Sequence, residues 1–204
     1  MSYAYWDRPV ADWARHLPRA WALFAHALSV VGTGGYWLVA AVLVGLTALL
    51  LDRRRLGVWA LRIACALAVS GLATDLLKLL FGRARPRALD QGDWGFHWFQ
   101  FGYRFTSFPS GHAAIAASLA AGLCLRWPAA WPGALLLWLM LAGSRVMTAA
   151  HFVSDMLAGS AVGIAAMVLV DRSAWLDRLL SRVRKVEARP AAPDEAAQRL
   201  PVDA

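Results

Sequence analysis

The chain has 204 residues, of which 59% are hydrophobic and 17% are charged, with a mean hydropathy of +0.48 and a formal net charge of +8. This composition is too apolar for an ordinary soluble domain, and it predicts an integral membrane protein of single-domain size. The positive charge does not indicate a nucleic-acid-binding protein, because the basic residues cluster at the ends of apolar segments, where they report membrane topology.

The first 35 residues contain two segments that we expect at the membrane surface. Apolar side chains recur at helical spacing between charged residues, as in a helix that lies in the interface plane. They are Trp6, Val10, Trp13 and Leu17. The next segment, Arg19–Val31, is apolar but too short to cross the hydrocarbon core, and GTGG at Gly32–Gly35 ends it. Residues 1–35 are therefore predicted to be interfacial and re-entrant, and their pattern is not that of a cleavable signal peptide.

Five apolar segments near the length that spans hydrocarbon, roughly 17–25 residues, are distributed along the rest of the chain. They are Tyr36–Leu51, Val58–Phe81, His112–Trp127, Trp131–Ala150 and Phe152–Val170. We predict five crossings, and hence an all-α polytopic membrane helix bundle whose transmembrane domain covers residues 36–170. Cys65 and Cys124 lie in separate predicted spans and indicate neither a disulfide nor a redox compartment.

Basic residues beside the predicted spans set the expected orientation. DRRR at Asp52–Arg55 joins the first two crossings and a basic stretch, Asp171–Lys185, follows the last, so both are expected in the cytoplasm. The long loop Gly82–Ser110 is then on the outer face, where several arginines contradict the positive-inside rule and indicate that something requires positive charge. They are Arg83, Arg85, Arg87 and Arg104. Residues 171–204 are predicted to form a cytoplasmic amphipathic helix and, from Pro190, a disordered tail.

Three groups of ionisable residues lie within or at the ends of the spans, where each costs several kcal/mol unless it is paired or hydrated. The first is Lys78 and Arg85 in KLLFGRARP. The second is PSGH at Pro109–His112, which opens a span where a helix N-terminus attracts anions. The third lies between the last two spans and contains Arg145, His151 and Asp155. The predicted topology places all three groups on the outer face.

His151 and Asp155 are four residues apart, so on a helix they share a face and the carboxylate can hold one ring nitrogen. The other nitrogen is then free to act as a nucleophile. A buried ion pair would also explain these two residues alone. Cations that extend to the interface would likewise explain Lys78, Arg85 and Arg145. The coincidence of all three groups on one face favours a pocket for a multiply charged anion such as phosphate.

These motifs resemble the three-part signature of the type 2 phosphatidic acid phosphatase (PAP2) superfamily, which also includes vanadium haloperoxidases and bacterial non-specific acid phosphatases. The matching residues are Lys78 and Arg85-Pro86, then Pro109-Ser110-Gly111-His112, then Ser144-Arg145, His151 and Asp155. The resemblance covers Lys78–Asp155 and includes all three parts at their usual spacing.

The resemblance implies a metal-independent phosphatase that forms a phosphohistidine. His151 would be the nucleophile, Asp155 would orient it, and His112 would protonate the leaving oxygen and then activate water. The phosphate oxygens would be held by Lys78, Arg85, Ser110, Gly111 and Arg145. Fixed cations can stabilise phosphoryl transfer in place of a metal, and a covalent intermediate divides hydrolysis into two easier steps. No carboxylate or cysteine cluster has ligand spacing, so we expect neither a metal nor another cofactor.

Several residues outside the signature allow more than one interpretation. Asp75 is within reach of the motif lysine on a helix, as a positioning partner or as a simple ion pair. Arg62 is expected to extend to the inner surface, and His16 and His26 to be interfacial or structural. The outer loop at residues 88–108 carries aromatics that fit an interfacial anchor better than a lipid-recognition lid. They are Trp94, Phe96, Trp98, Phe99, Phe101, Tyr103 and Phe105.

A site at headgroup depth favours a lipid phosphate as the substrate and disfavours the soluble branches of the family. The predicted reaction is hydrolysis of a polyprenyl diphosphate, phosphatidylglycerol phosphate or phosphatidic acid, with lipid A phosphate as an alternative. A lipid phosphotransferase, a non-catalytic lipid phosphate transporter and a catalytically silent scaffold are the other hypotheses. The expected location is the bacterial inner membrane, with the site on the periplasmic face, the C-terminus in the cytoplasm, and membrane lipids but no nucleic acid as partners.

Overall fold

The computed structural model describes residues 3–100, 102–175 and 178. Seven α-helices make up most of this part of the chain, and its only extended pairing is an isolated bridge between Arg83 and Phe96. The helices are α1 Arg8–Arg15, α2 Arg19–Val31, α3 Gly34–Leu50, α4 Arg54–Phe81, α5 Gly111–Arg126, α6 Trp131–Met147 and α7 Val153–Arg172. A π-helical turn, Tyr3–Asp7, precedes α1, and short 3-10 turns cover Pro86–Gln91, Tyr103–Phe105 and Pro128–Ala130. The predicted all-α membrane fold is confirmed.

The five predicted crossings correspond to α3 through α7. Within the described residues, α4, the segment Pro128–Met147 and α7 are each long and apolar enough to cross a membrane. Helices α2 and α3 reach that length together, as a broken span or a re-entrant pair bent by 41°. Helix α5 has 16 residues, about 24 Å of helix, which is shorter than a hydrocarbon core of roughly 30 Å. The number of five crossings therefore stays a prediction.

Helix α5 packs against α4, α6 and α7, and glycines of α7 allow the backbones of α5 and α7 to approach closely. A Cβ atom added at Gly159 would lie 2.2 Å from the carbonyl oxygen of Ser110, and one at Gly163 would lie 2.0 Å from that of Ala114. Ser118 Oγ also donates to the Gly163 carbonyl at 2.8 Å. In lipid, such van der Waals contact between small residues holds helices together. It fixes the start of α5 beside the start of α7.

The opposite half of the bundle contains the apolar core. Its buried side chains come from α4, α5 and α7 and are Ile63, Ala66, Leu67, Leu119, Met167 and Val170. Arg62, which is expected to extend to the inner surface, forms an ion pair with Asp171, with its Nη1 3.4 Å from Asp171 Oδ1. Large apolar side chains of α3, α4 and α6 remain exposed, which is the surface expected to face lipid.

The chain divides into two units, Met1–Arg172 and Ser173–Ala204. All seven helices belong to the first unit. The predicted amphipathic helix and disordered tail fall largely outside the described residues, as does Phe101 of the aromatic loop. The predicted segment boundaries after residues 35 and 170 therefore stay predictions.

Candidate active site

The three motifs come together where four helix ends meet. Helices α4 and α6 end at this place, and α5 and α7 begin there, so alternating chain directions bring the motif residues to one side of the bundle. The N-terminal turn and the end of α2 reach the same place through Asp7 and Ser29. The sequence predicted the convergence of the motifs but not the contribution of residues that precede α3.

His151 lies in the connection between α6 and α7, so the helical spacing that we predicted for His151 and Asp155 is wrong. Ala149 adopts a left-handed conformation, with φ 49°, just after the end of α6. The amides of Ala150 and His151 then donate to the Arg145 carbonyl at 3.0 and 3.2 Å. Helix α7 begins only at residue 153. This turn places the imidazole inside the protein, with 3% of the residue exposed.

The hydrogen bonds of His151 determine which ring nitrogen is free. Nδ1 lies 2.7 Å from the Ser107 carbonyl oxygen and, since a carbonyl only accepts, Nδ1 carries the proton. Nε2 is therefore unprotonated, and its lone pair accepts a hydrogen bond from Nη1 of Arg85 at 3.4 Å. Asp155 Oδ2 is 3.7 Å from Nδ1, which is beyond hydrogen-bond distance. The carboxylate thus acts on the ring through its charge, and Ser107 is the direct partner.

The environment of His151 keeps the ring neutral at pH 7. Burial lowers the pKa of His151 from 6.5 to about 4, and the charges of Arg85 and Arg145 act in the same direction, while Asp155 opposes them. A neutral imidazole is the form that can attack an electrophile. Burial also lowers the pKa of the Arg85 guanidinium, although such a group stays protonated at ordinary pH.

Asp155 belongs to a buried carboxylate network that consists of Asp7, Arg83, Ser107, Ser154 and Asp155. Arg83 joins the two carboxylates, because its guanidinium contacts Asp155 Oδ1 and donates to Asp7 Oδ2 at 2.8 Å. Asp155 Oδ2 also accepts from Ser107 Oγ at 2.5 Å and from the Phe152 amide at 2.9 Å. Both carboxylates are fully buried. In the sequence, Arg83 stood out only as unexplained positive charge. Nothing in the sequence indicated that Asp7, Ser107 and Ser154 belong to this network.

Arg85, by contrast, contacts neutral groups. It donates to the carbonyl oxygens of Tyr103, Ala150 and Thr106 at 2.8, 2.9 and 3.0 Å. Its guanidinium carbon lies 4.0 Å from the centroid of the Tyr103 ring. No carboxylate forms an ion pair with it within the described part of the chain. Its position beside His151 Nε2 and its unneutralised charge suit it to hold an anion there.

Arg145 and His112 both contact Ser29 at the end of α2. Arg145 Nη1 donates to Ser29 Oγ at 2.5 Å, and His112 Nε2 lies 3.2 Å from the Ser29 carbonyl oxygen and therefore carries a proton. His112 is within Coulombic range of Arg145, Lys78 and His151. A Cβ atom at Gly32 would lie 3.1 Å from His112 Cδ2, so the GTGG break packs directly on this ring. A lone serine in an apolar helix gave no signal of this role.

Lys78 lies in the last turn of α4, and its side chain approaches the start of α5. Its Nζ donates to Asp75 Oδ1 at 2.8 Å, which confirms that Asp75 reaches it. A Cβ atom at Gly111 would lie 3.2 Å from Nζ, so glycine lets the amine approach the first turn of α5. Ser110 caps this helix, and its amide donates to the Asp155 carbonyl at 3.0 Å. The unpaired amides of such a turn favour an anion.

Backbone hydrogen bonds fasten the aromatic loop to the first motif. Ala84 donates to the Gly95 carbonyl at 3.0 Å, and Arg85 donates to that of Arg104 at 2.9 Å. Several aromatic side chains of the loop are exposed, namely Trp94, Phe96, Trp98, Phe99 and Tyr103. Their exposure beside the pocket fits a membrane anchor, whose role stays a prediction. His16 and His26 are also exposed.

No group of three or more His, Cys, Asp or Glu side chains among the described residues is arranged to hold a metal ion. The roles that the sequence predicted for His151, His112 and Asp155 stay predictions, as does a reaction without a metal. The structure brings these three residues into one cluster with the residues that were predicted to bind phosphate. The predicted phosphate-binding residues are Lys78, Arg85, Ser110, Gly111 and Arg145.

Comparison with known proteins places the cluster in a family context. The family model of the PAP2 superfamily matches residues 59–178, which is more than half of the chain. Over 95 residues, 46% of this chain, the sequence is 39% identical to the lipid A 1-phosphatases of Rhizobium etli and Rhizobium johnstonii. The matched segments cover 41% and 39% of those two proteins. The fold is similar to the crystal structure of LpxE from Aquifex aeolicus, with a TM-score of 0.64 and 18% identity over 82% of this chain and 95% of that one.

Proposed function

This chain belongs to the PAP2 superfamily, and from that premise we propose that it is an integral membrane phosphatase that hydrolyses a lipid phosphate ester or diphosphate. The observation that carries the proposal is the state of His151. Its Nδ1 is protonated and donates to Ser107, and its unprotonated Nε2 accepts at 3.4 Å from Arg85, an arginine that lacks a carboxylate partner in the described part of the chain. A nucleophile beside unneutralised positive charge is what phosphoryl transfer requires.

In the first step, Lys78, Arg85, Arg145 and the first turn of α5 hold the phosphate oxygens. Nε2 of His151 attacks phosphorus, and the bond between phosphorus and the lipid oxygen breaks. His112 gives a proton to the departing oxygen. The imidazole becomes positively charged as the new P–N bond forms, and the Asp155 carboxylate stabilises that charge through space.

In the second step, a water molecule gives a proton to His112 and attacks phosphorus, so that the P–N bond breaks and inorganic phosphate leaves. The position of His112 adds a requirement to both steps. Because its Nε2 proton is donated to the Ser29 carbonyl, the ring has to give up that bond or bind a second proton at Nδ1 before it acts as an acid.

Among the candidate substrates, we place lipid A phosphate first, because the two Rhizobium relatives are named lipid A 1-phosphatases. Polyprenyl diphosphate, phosphatidylglycerol phosphate and phosphatidic acid are the other candidates. We also propose the bacterial inner membrane as the location, with the site on the periplasmic face and the C-terminus in the cytoplasm. The exposed aromatic loop beside the site supports access from the headgroup region.

The proposal is tested by measuring phosphate release from these four lipid classes by the purified protein in detergent. We expect release that persists in EDTA, is blocked by vanadate and disappears in His151→Ala. The matched control is His16→Ala, since His16 is exposed and its ring bonds to the Asp12 carbonyl of the preceding helix α1.

Three results would contradict the proposal in different ways. Binding of a lipid phosphate without release would favour the transporter hypothesis. Transfer of the phosphate to an acceptor lipid instead of water would identify a phosphotransferase. Activity that EDTA abolishes would contradict the mechanism without a metal.

A further inference from the structure

Asp7, in the turn that precedes α1, is outside all three motifs, yet its side chain is fully buried at the site. Its carboxylate accepts from Arg83 Nη2 at 2.8 Å, from the Ser154 amide at 2.9 Å and from the Ser154 hydroxyl at 2.6 Å. These partners are 76 and 147 residues away in the sequence. Burying a carboxylate costs several kcal/mol, which these bonds and the Arg83 charge offset.

Arg83 is held rigidly between Asp7 and Asp155. Its Nη2 donates to Asp7, while its Nη1 contacts Asp155 and donates to Ser154 Oγ at 2.7 Å. The rings of Phe96 and Phe152 lie 5.2 and 4.4 Å from the guanidinium carbon. Two carboxylates and one guanidinium leave a single negative charge, and Asp155 is the charged member of the network that lies beside His151.

If Asp7 carried no charge, Asp155 would be the one carboxylate left in the network, and Arg83 would neutralise it. The network would then have no net charge when the His151 ring becomes positive during attack. Asp7 also bonds to the Ser154 amide in the first turn of α7, where a carboxylate is favoured by the helix dipole. Asp7 therefore sets the net charge of the network and also holds the first turn of α7, which contains Asp155, in place.

We propose that Asp7 is a positioning residue of the active site, which holds Arg83 and Ser154 so that Asp155 presents its negative charge to His151. This inference rests on the proposed function. It makes the N-terminal turn a part of the catalytic centre, although that turn precedes the matched family segment by more than fifty residues.

The test compares Asp7→Asn with the wild-type protein in lipid phosphate hydrolysis. The substitution keeps the size of the side chain and removes its charge. We expect kcat to fall about 10–100-fold, with KM changed less than about threefold, because the phosphate-binding cations are untouched. Inhibition by vanadate should weaken by a similar factor to kcat and inhibition by inorganic phosphate should not, since only the transition state carries the positive ring.

A second variant separates charge from structure. Asp7→Asn combined with Arg83→Gln restores a single negative charge on Asp155, so the double variant should recover part of the kcat that Asp7→Asn loses. The matched control is Asp12→Asn, because Asp12 lies in α1 and pairs with Arg15 away from the network. Its kcat should equal that of the wild type.

If Asp7→Asn had the kcat of the wild type, the positioning role of Asp7 would be overturned, and the proposed function would still stand. Loss of phosphate binding together with activity would show that Asp7 serves only the fold, and would overturn it too. A wild-type protein that releases no phosphate from any lipid would instead refute the proposed function.

Discussion

The two halves of the active site contain buried arginines in opposite electrostatic states. In the carboxylate network, Arg83 forms ion pairs with Asp7 and Asp155, so its positive charge is neutralised. On the side that we propose binds phosphate, Arg85 and Arg145 contact carbonyls, a hydroxyl and Tyr103, and neither has a carboxylate ion pair in the described ranges. The first half has one carboxylate more than its arginine can neutralise and holds Asp155 in place, whereas the second half keeps positive charge that an anion can neutralise. The difference distinguishes residues that build the site from residues that we propose bind substrate.

The largest expected effect is that of Arg145→Met. We expect kcat/KM to fall on the order of 10³-fold, because a cation that stabilises the transferring phosphoryl group is lost. Stability should not fall, since the Arg145 Nε is buried without a hydrogen-bond partner among the described residues. Steady-state kinetics and thermal unfolding in the same detergent measure both quantities. A large drop in stability at near-normal activity would remove the distinction between the two halves.

Arg83→Met should behave in the opposite way. The substitution leaves two buried carboxylates without a positive partner, so we expect the free energy of unfolding to fall by about 3–5 kcal/mol. Thermal or denaturant unfolding of the two methionine variants, measured side by side, gives this difference. Equal stability of Arg83→Met and Arg145→Met would show that the carboxylate network does not support the fold.

A smaller effect is expected from pH. Because the pKa of His151 is lowered from 6.5 to about 4, the unfolded chain binds this proton more readily than the native protein does. Stability from this group is thus complete above pH 6.5 and is lost as the pH falls toward 4. Between pH 7 and 5 the wild type should lose about 2 kcal/mol more than His151→Asn. Parallel unfolding curves for the two proteins over this pH range would mean that the ring is not held neutral by burial.

The sequence indicated the residues that we propose bind substrate better than the residues that support them. Lys78, Arg85 and Arg145 lie at the ends of apolar spans, where an ionisable side chain stands out against its surroundings. Asp7 lies in a polar stretch whose pattern favours an interfacial helix, so nothing local marks it as buried. The sequence likewise gives no indication of the role of Ser29, because that role depends on α2 packing against α6. Only Arg83, an arginine on the face where basic residues are rare, carried a signal.

Helix boundaries explain the error at His151. The four-residue spacing of His151 and Asp155 predicted that both lie on one helix, but the turn at Ala149 follows the end of α6, and α7 starts after the imidazole. A non-glycine residue in the left-handed region is uncommon, and composition alone does not reveal it. The fold class depends on long apolar periodicities and was therefore predictable. The tautomer of His151 depends on the Ser107 carbonyl, 44 residues away, and was not predictable.

The most direct test of the central claim is to trap the covalent intermediate on His151. His112→Ala should retain the first step with an aryl phosphate, whose leaving oxygen needs no proton, and should be slow in the second step because no group activates water. Mass spectrometry after rapid quenching should then find one phosphoryl group, acid-labile and carried by Nε2 of His151. Phosphate release by this variant with His151 unmodified, or a phosphoryl group on any other residue, would contradict the account.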